Sequence, residues 1–309
     1  MPTSLPVLVA GAINTDLVAT MSSAPGPGET ITATTFAIHA GGKGANQAVA
    51  AARSGTKVTM VGAIGEDDFG TARLRDLERE GIETTWVRRS STAASGVALI
   101  LVEDHGENRI AYVPGATTTI GSDHCVRALQ AVRPGIVLAT NELPQKSLGA
   151  LFAEARRLGA TVILNATPDP ERAVELLGLV DIVIVNAGEA ARILAAGDDA
   201  GDDLEPHGAI EAVRAFGPGT VIITLGADGV VGNERDTAFA HPAPAVPVVD
   251  TTGAGDTFCG AFAASLGSES SISEAARYGV LASALSVTRA GAQAGIPTRQ
   301  QVTMFAEGL

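Results

Sequence analysis

Apolar positions along the chain follow two rhythms. Short runs with little polar interruption, at residues 7–12, 57–63, 136–139, 161–165, 181–185 and 221–225, read as strands buried on both faces. Between them, apolar residues recur at helical spacing in 44–53, 68–80, 145–158 and 188–196. Two longer helical stretches, 255–266 and 272–287, occupy the C-terminal part. This alternation predicts a three-layer α/β/α domain with a mostly parallel central sheet. Two segments break it: 29–39 (ETITATTFAIH) and 96–113 (GVALILVEDHGENRIAYV). The second reads as a hairpin turning at Asp104-His105-Gly106-Glu107. Both faces of 97–102 are apolar, so each calls for a cover. The expectation is one domain over 1–309 carrying a small inserted β lid, discontinuous over about 14–40 and 88–115. One lid face would close over the main body and the other would meet a second subunit, giving a homodimer. Ordinary peripheral strands of the main sheet are the alternative.

Composition narrows the partners. The 309 residues are 46% hydrophobic, enough for a large core, and carry a net charge of −13 with no Lys/Arg-rich run. Nucleic acid held through its phosphates is therefore not expected, although net charge says little about one pocket. The start, MPTSLPVLVAGAIN, lacks a basic leader region, and no stretch reaches the roughly 18 apolar residues of a membrane span. Cys125 and Cys259 are far apart with no CxxC spacing and read as free thiols in a reducing cytoplasm. The five histidines are scattered, so a histidine-built metal site is not expected. The acidic stretch 195–208 misses calcium-loop spacing and reads as a solvated loop.

Candidate chemistry lies in glycine-rich turns. In DTTGAGDTF (250–258), Gly253-Ala254-Gly255 precedes a helix, so its backbone amides can form an anion hole. Asp256 then reads in two ways, as a cap on the helix start or as a general base for a hydroxyl. The turn Gly41-Gly42-Lys43-Gly44-Ala45-Asn46-Gln47 is not a P-loop, because a glycine follows the lysine, and no GxGxxG follows the first strand. Lys43 and Asn46 could donate to sugar hydroxyls or a phosphate, or the turn could simply be packed. Asn14-Thr15-Asp16 alone reads as a turn after strand one. Asn186 and Glu189 fit a helix cap or water-bound Mg²⁺, and Thr224–Gly229 fits a phosphate-holding loop or a strand-to-strand turn. Taken together, Asp16, Gly42, Glu142, Asn186, Thr224 and the approach to Asp256 all follow strand C-termini, the edge where open α/β sheets bind ligands.

In combination these motifs resemble the ribokinase-type carbohydrate kinases of the larger PfkB family, over essentially the whole chain. DTTGAGDTF matches the C-terminal signature, 41–53 (GGKGANQAVAAAR) the N-terminal one, Asn186–Glu189 the NxxE motif, and 287–297 (VTRAGAQAGIP) a ribokinase C-terminal loop. The resemblance implies transfer of the ATP γ-phosphate to the 5-hydroxyl of D-ribose. Asp256 would be the base, with Gly253, Ala254 and Gly255 as the anion hole. Asn14, Asp16, Gly41, Gly42, Lys43, Asn46 and Glu142 would hold the sugar. Thr224, Leu225, Gly226, Ala227, Asp228, Gly229, Gly255, Asn186 and Val280 would line the nucleotide pocket. Asn186 and Glu189 would order Mg²⁺ through water. Asp250, with carbonyls of Thr252, Ser286, Arg289, Gly291 and Gly295, would bind an activating K⁺. Three positions depart from the pattern. Gly295 stands where ribokinases usually offer a serine hydroxyl, which implies one K⁺ ligand lost or replaced by water; Val280 stands where they often have asparagine, and Thr117 in place of the asparagine of a Gly-Ala-Asn. Trp86, the only tryptophan, is expected at the base of the lid. Competing readings are a kinase for deoxyribose, fructose, a sugar acid or a nucleoside, and a catalytically silent sugar-binding regulator. The aromatic content of 4% argues against a nucleoside.

Overall fold

The structure is a computed structural model that describes residues 4–105, 107–197 and 205–309. Gly106, in the turn expected at 104–107, and residues 198–204 of the acidic stretch lie outside the described residues. The strands are β1 (Val7–Ala10), β2 (Asn14–Met21), β3 (Thr35–Gly41), β4 (Val58–Gly65), β5 (Val87–Ser90), β6 (Gly96–Glu103) and β7 (Asn108–Val113), followed by β8 (Ile136–Thr140), β9 (Thr161–Asn165), β10 (Ile182–Asn186), β11 (Thr220–Thr224), β12 (Val230–Glu234) and β13 (Thr237–His241). The α-helices are α1 (Lys43–Arg53), α2 (Asp68–Arg79), α3 (Ser122–Val132), α4 (Gln145–Leu158), α5 (Ala187–Ala196), α6 (Pro206–Arg214), α7 (Ala254–Leu266), α8 (Ile272–Ser286), α9 (Ala292–Gly295) and α10 (Arg299–Glu307).

Nine strands form one sheet in the order β13-β12-β11-β10-β9-β8-β1-β4-β5. It is parallel from β5 to β11, with β12 and β13 antiparallel at one edge. Side chains alternate across a strand, and here each face has its own core. Leu8, Ala10, Val137, Ala139, Val162 and Leu164 pack with α3 to α6. Val7, Val9, Ile136, Leu138 and Ile163 pack with α1, α7 and α8. Burial on both faces is why these strands read as continuous apolar runs. Register then places Ala10, Thr140, Asn165, Asn186 and Thr224 along one C-terminal edge.

The other four strands make a separate sheet in the order β3-β2-β6-β7. Asn14-Thr15-Asp16 is thus not a free turn: it begins β2, pairing with β3 on one side and β6 on the other. Since β2 starts three residues after β1, the small sheet springs from the same C-terminal edge. Residues 87–90 join the main sheet beside β4, so the small sheet's second stretch begins at Gly96. Trp86 belongs to the main body as well. Its ring meets that of His124 edge-on at 5.6 Å, and it packs against the core on the α3–α4 side rather than under the small sheet.

Register sorts the small sheet's two faces. His39, Asp16, Ala98 and Tyr112 form one cross-strand row on the face that also carries Asn14. The opposite face carries Phe36, Ile38, Leu17, Leu99 and Leu101; Phe36, Ile38 and Leu99 are 64%, 51% and 46% exposed.

Candidate active site

Two close approaches assemble the site. Gly42 (φ 92°) precedes α1, and a Cβ there would lie 2.6 Å from the Ala12 carbonyl oxygen. A Cβ on Gly41 would fall on the Asp16 carboxylate. With neither Cβ present, the turn into α1 lies against the turn between β1 and β2, bringing Asp16 near Lys43. Glu142, at the end of β8, ties these parts together. Its Oε2 accepts from the Ala12 N–H (2.8 Å), the Gly44 N–H (3.2 Å) and the Thr140 hydroxyl (2.7 Å). Its Oε1 has no partner among the described residues.

Asp256 sits in the first turn of α7, 8% exposed, after Gly253 in a left-handed conformation (φ 76°). The capping alternative does not hold. The carboxylate takes side-chain donors from α1 instead: Asn46 Nδ2 to Oδ2 (2.9 Å) and Gln47 Nε2 to Oδ1 (3.0 Å). Gln47 is itself shared with Asn165 Oδ1 (2.9 Å), at the end of β9. Gln293 Nε2 in α9 donates to Asn46 Oδ1 at 3.0 Å. The anion hole differs in detail from the expected three amides. The Ala254 N–H turns back onto the Thr251 carbonyl (3.2 Å), whereas the Gly253 and Gly255 N–H groups have no acceptor among the described residues.

Lys43, Asn186, Glu189, Thr224 and the Gly253–Asp256 turn line one cleft. Burial alone would disfavour the Lys43 ammonium, but the Asp256, Glu142 and Glu189 carboxylates outweigh it and raise its pKa, so it stays charged. Burial raises the pKa of Glu142 despite its hydrogen bonds and Lys43. Burial likewise raises that of Asp16, against the pull of His39 and Arg73. The site therefore holds one firm cation among carboxylates, a setting for an anionic ligand bearing hydroxyls.

Other predicted residues fall in different places. Leu225 N–H closes on the Gly229 carbonyl (2.8 Å), so 224–229 is a tight turn into antiparallel β12, with Gly226–Asp228 exposed and Thr224 at the cleft. Val280 is buried in the α7–α8 core. Thr117 is fully buried, and its hydroxyl has no partner among the described residues. Spacing does not reveal Gln47, Asn165, Gln293 or Tyr112. Asn165 could have been found, since it ends a predicted strand at the ligand edge. Tyr112, in Asp16's cross-strand row, has its pKa pushed up to about 12 by burial and the nearby Glu142 carboxylate.

Cation sites can be judged by donor chemistry. Asn186 and Glu189 form a complete capping box, Asn186 Oδ1 accepting the Glu189 N–H (2.8 Å) and Glu189 Oε2 the Asn186 N–H (2.9 Å). No three His, Cys, Asp or Glu side chains converge among the described residues. A cation at this pair would be reached through water, since the cap already engages Asn186 Oδ1 and Glu189 Oε2. At the second site, Asp250 accepts from the Thr252 N–H (2.9 Å) and the Gly291 N–H (2.7 Å), tying the DTTG turn to the loop after α8. Although partial burial opposes it, these bonds lower the Asp250 pKa. A Cβ on Gly295 would lie 2.7 Å from the Ser286 carbonyl oxygen and 3.4 Å from that of Arg289. Gly295 thus lies close against these two carbonyls and offers no side-chain oxygen of its own.

Comparison with known proteins agrees with this geometry. The pattern of the pfkB family carbohydrate kinases matches residues 5–299. Ribokinase of Haemophilus influenzae is 38% identical over 301 residues, 97% of each chain. The crystal structure of ribokinase from Thermotoga maritima superposes with a TM-score of 0.90 at 34% identity, covering 98% of this chain and 99% of that one. The structure of Arabidopsis thaliana ribokinase complexed with ribose and ATP gives 0.88 at 30% identity, with the same coverage. The two glycine-rich signatures are therefore part of a likeness that runs the length of the chain, which belongs to the pfkB family of carbohydrate kinases, phosphotransferases that act on a sugar hydroxyl.

Proposed function

We propose that this chain phosphorylates D-ribose at its 5-hydroxyl with ATP, giving ribose 5-phosphate and ADP. The observation that carries this reading is the placement of Asp256. Its carboxylate is held by Asn46 and Gln47 at the mouth of α7, beside the Gly253 and Gly255 amides and near Lys43. Asp256 takes the proton of the 5-hydroxyl as that oxygen bonds to the γ-phosphorus. The bond from that phosphorus to its bridging oxygen breaks, and ADP leaves with the electron pair. The Gly253 and Gly255 N–H groups receive the charge that gathers on the transferring group.

Asn14, Asp16, Gly41, Gly42, Lys43, Asn46 and Glu142 hold the sugar. Asp16 and the free Glu142 oxygen accept from its hydroxyls, and Lys43 donates. Thr224–Gly229 borders the nucleotide, with Val280 beneath. Asn186 and Glu189 hold Mg²⁺ through water, which neutralises phosphate charge when bound. Asp250 and the carbonyls of Thr252, Ser286, Arg289, Gly291 and Gly295 hold K⁺, which stiffens the turn presenting Gly253 and Gly255. The small sheet acts as a lid, and its outer apolar face meets a second copy in a homodimer of a cytoplasmic enzyme. No helix among the described residues is long and apolar enough to cross a membrane. The test is product analysis by phosphorus–proton correlation NMR after turnover with Mg-ATP. Coupling of the new phosphate to the C5 protons is expected, and phosphate on C1 or no sugar phosphate overturns the reading.

A further inference from the structure

Gln293 is the one member of the amide chain that comes from outside α1 and the sheet. It lies in α9, on the loop following α8, and donates to Asn46 Oδ1, whose Nδ2 donates in turn to Asp256. Direction along this chain is not arbitrary. A carboxylate only accepts, so Asn46 must turn its NH₂ toward Asp256 and its oxygen away. The outward oxygen then needs a donor, and Gln293 supplies it. The loop is well anchored for this task. Arg53, at the other end of α1, donates to the Gln293 and Ile296 carbonyls (2.7 Å each) and pairs with Glu80. On its other side Ala292 packs against Gly253, where an added Cβ would lie 3.0 Å from the Ala292 Cβ.

We propose that Gln293 is a positioning residue for the reaction, setting the orientation of the Asn46 amide and so the hydrogen bond received by Asp256. The proposal rests on Asp256 being the base. Without a donor at 293, the outward Asn46 oxygen is left unpaired in a buried site, and the amide shifts toward another donor, which misplaces the hydrogen bond it gives the base. Gln293 touches neither substrate in this scheme. Its effect should therefore appear in kcat more than in the KM for ATP.

The experiment compares full-length Gln293→Leu, Gln293→Glu and Gln293→Lys with wild type in kcat, both KM values and unfolding midpoint, with Asp256→Asn as control. Leu and Glu remove the donor and should lower kcat roughly tenfold, the scale of one buried hydrogen bond, with the KM for ATP unchanged and only the modest fall in midpoint that one unpaired amide oxygen brings. Lys restores a donor and should return kcat to within about threefold of wild type. On an Asn46→Ala background, Gln293→Leu should have no further effect. Full activity of Leu and Glu variants beside a crippled Asp256→Asn overturns the relay while leaving the base intact. An active Asp256→Asn removes the base, and the proposal with it. Equal losses in all three Gln293 variants, or a loss that persists without Asn46, make the residue structural and overturn the proposal.

Discussion

Replacing Asp256 by asparagine separates proton removal from substrate binding. The volume is kept, and an amide still offers one acceptor oxygen. In the wild type two donors converge on the carboxylate, Asn46 at 2.9 Å and Gln47 at 3.0 Å. In the variant one of them meets an NH₂ group and loses its acceptor, a cost of about 1–3 kcal/mol in stability. The larger effect is kinetic. Loss of a general base slows turnover by roughly 10² to 10⁴, a barrier increase of about 3–5 kcal/mol. ADP release measured by a coupled assay should show that fall in kcat. Calorimetric dissociation constants for ATP and ribose should stay within about threefold of wild type, because the lost interaction belongs to the transition state. Turnover within tenfold of wild type would refute the assignment, as would a loss explained entirely by failed binding.

Glu142→Ala leaves the Ala12 and Gly44 N–H groups and the Thr140 hydroxyl without their acceptor. Urea denaturation should show a loss of about 3 kcal/mol, and Glu142→Gln, which keeps an oxygen, should lose far less; equal losses would contradict this account of the carboxylate. Asp250 has a folded pKa below its ordinary 3.8. Its contribution to stability is therefore present above the unfolded value and is lost as pH falls through the folded one. The Tm of Asp250→Asn should decline less steeply than that of wild type below roughly pH 4, and parallel curves would remove the effect. Leu99→Lys puts a charge on the outer face of the small sheet. Light scattering at micromolar concentration should find a dimer for wild type and a monomer for this variant; a monomeric wild type refutes the dimer.

Local rules carried much of this architecture. The strand at 161–165 and the helix at 145–158 coincide with the observed β9 and α4, because period and capping residues are set by near neighbours. β2 was harder to see. Its residues NTDLVATM open with three polar positions, and at Asn14-Thr15-Asp16 turn chemistry outweighs strand propensity until β3 and β6 provide partners. The site was legible as a set of strand ends, since ligand binding at that edge follows from topology. Its internal wiring was not. Gln47 and Asp256 are 209 residues apart, Gln47 and Asn165 are separated by 118, and Asn46 and Gln293 by 247. No spacing rule reaches across such distances, so Asp256 alone in sequence is as consistent with a helix cap as with a base. Trp86 shows the same limit: proximity in sequence to the lid segment did not make it part of the lid, because the intervening β5 pairs with β4.

The most direct measurement is ADP release from Mg-ATP with D-ribose, 2-deoxyribose, fructose and adenosine in parallel, each in K⁺ and in Na⁺. Rapid turnover on ribose, strongly favoured by K⁺, is the predicted result, since it engages the sugar-holding side chains and the Asp250 loop together. Turnover confined to another acceptor would contradict the ribose assignment, and silence on all four with ribose still bound would contradict the kinase reading in favour of a silent sugar-binding protein.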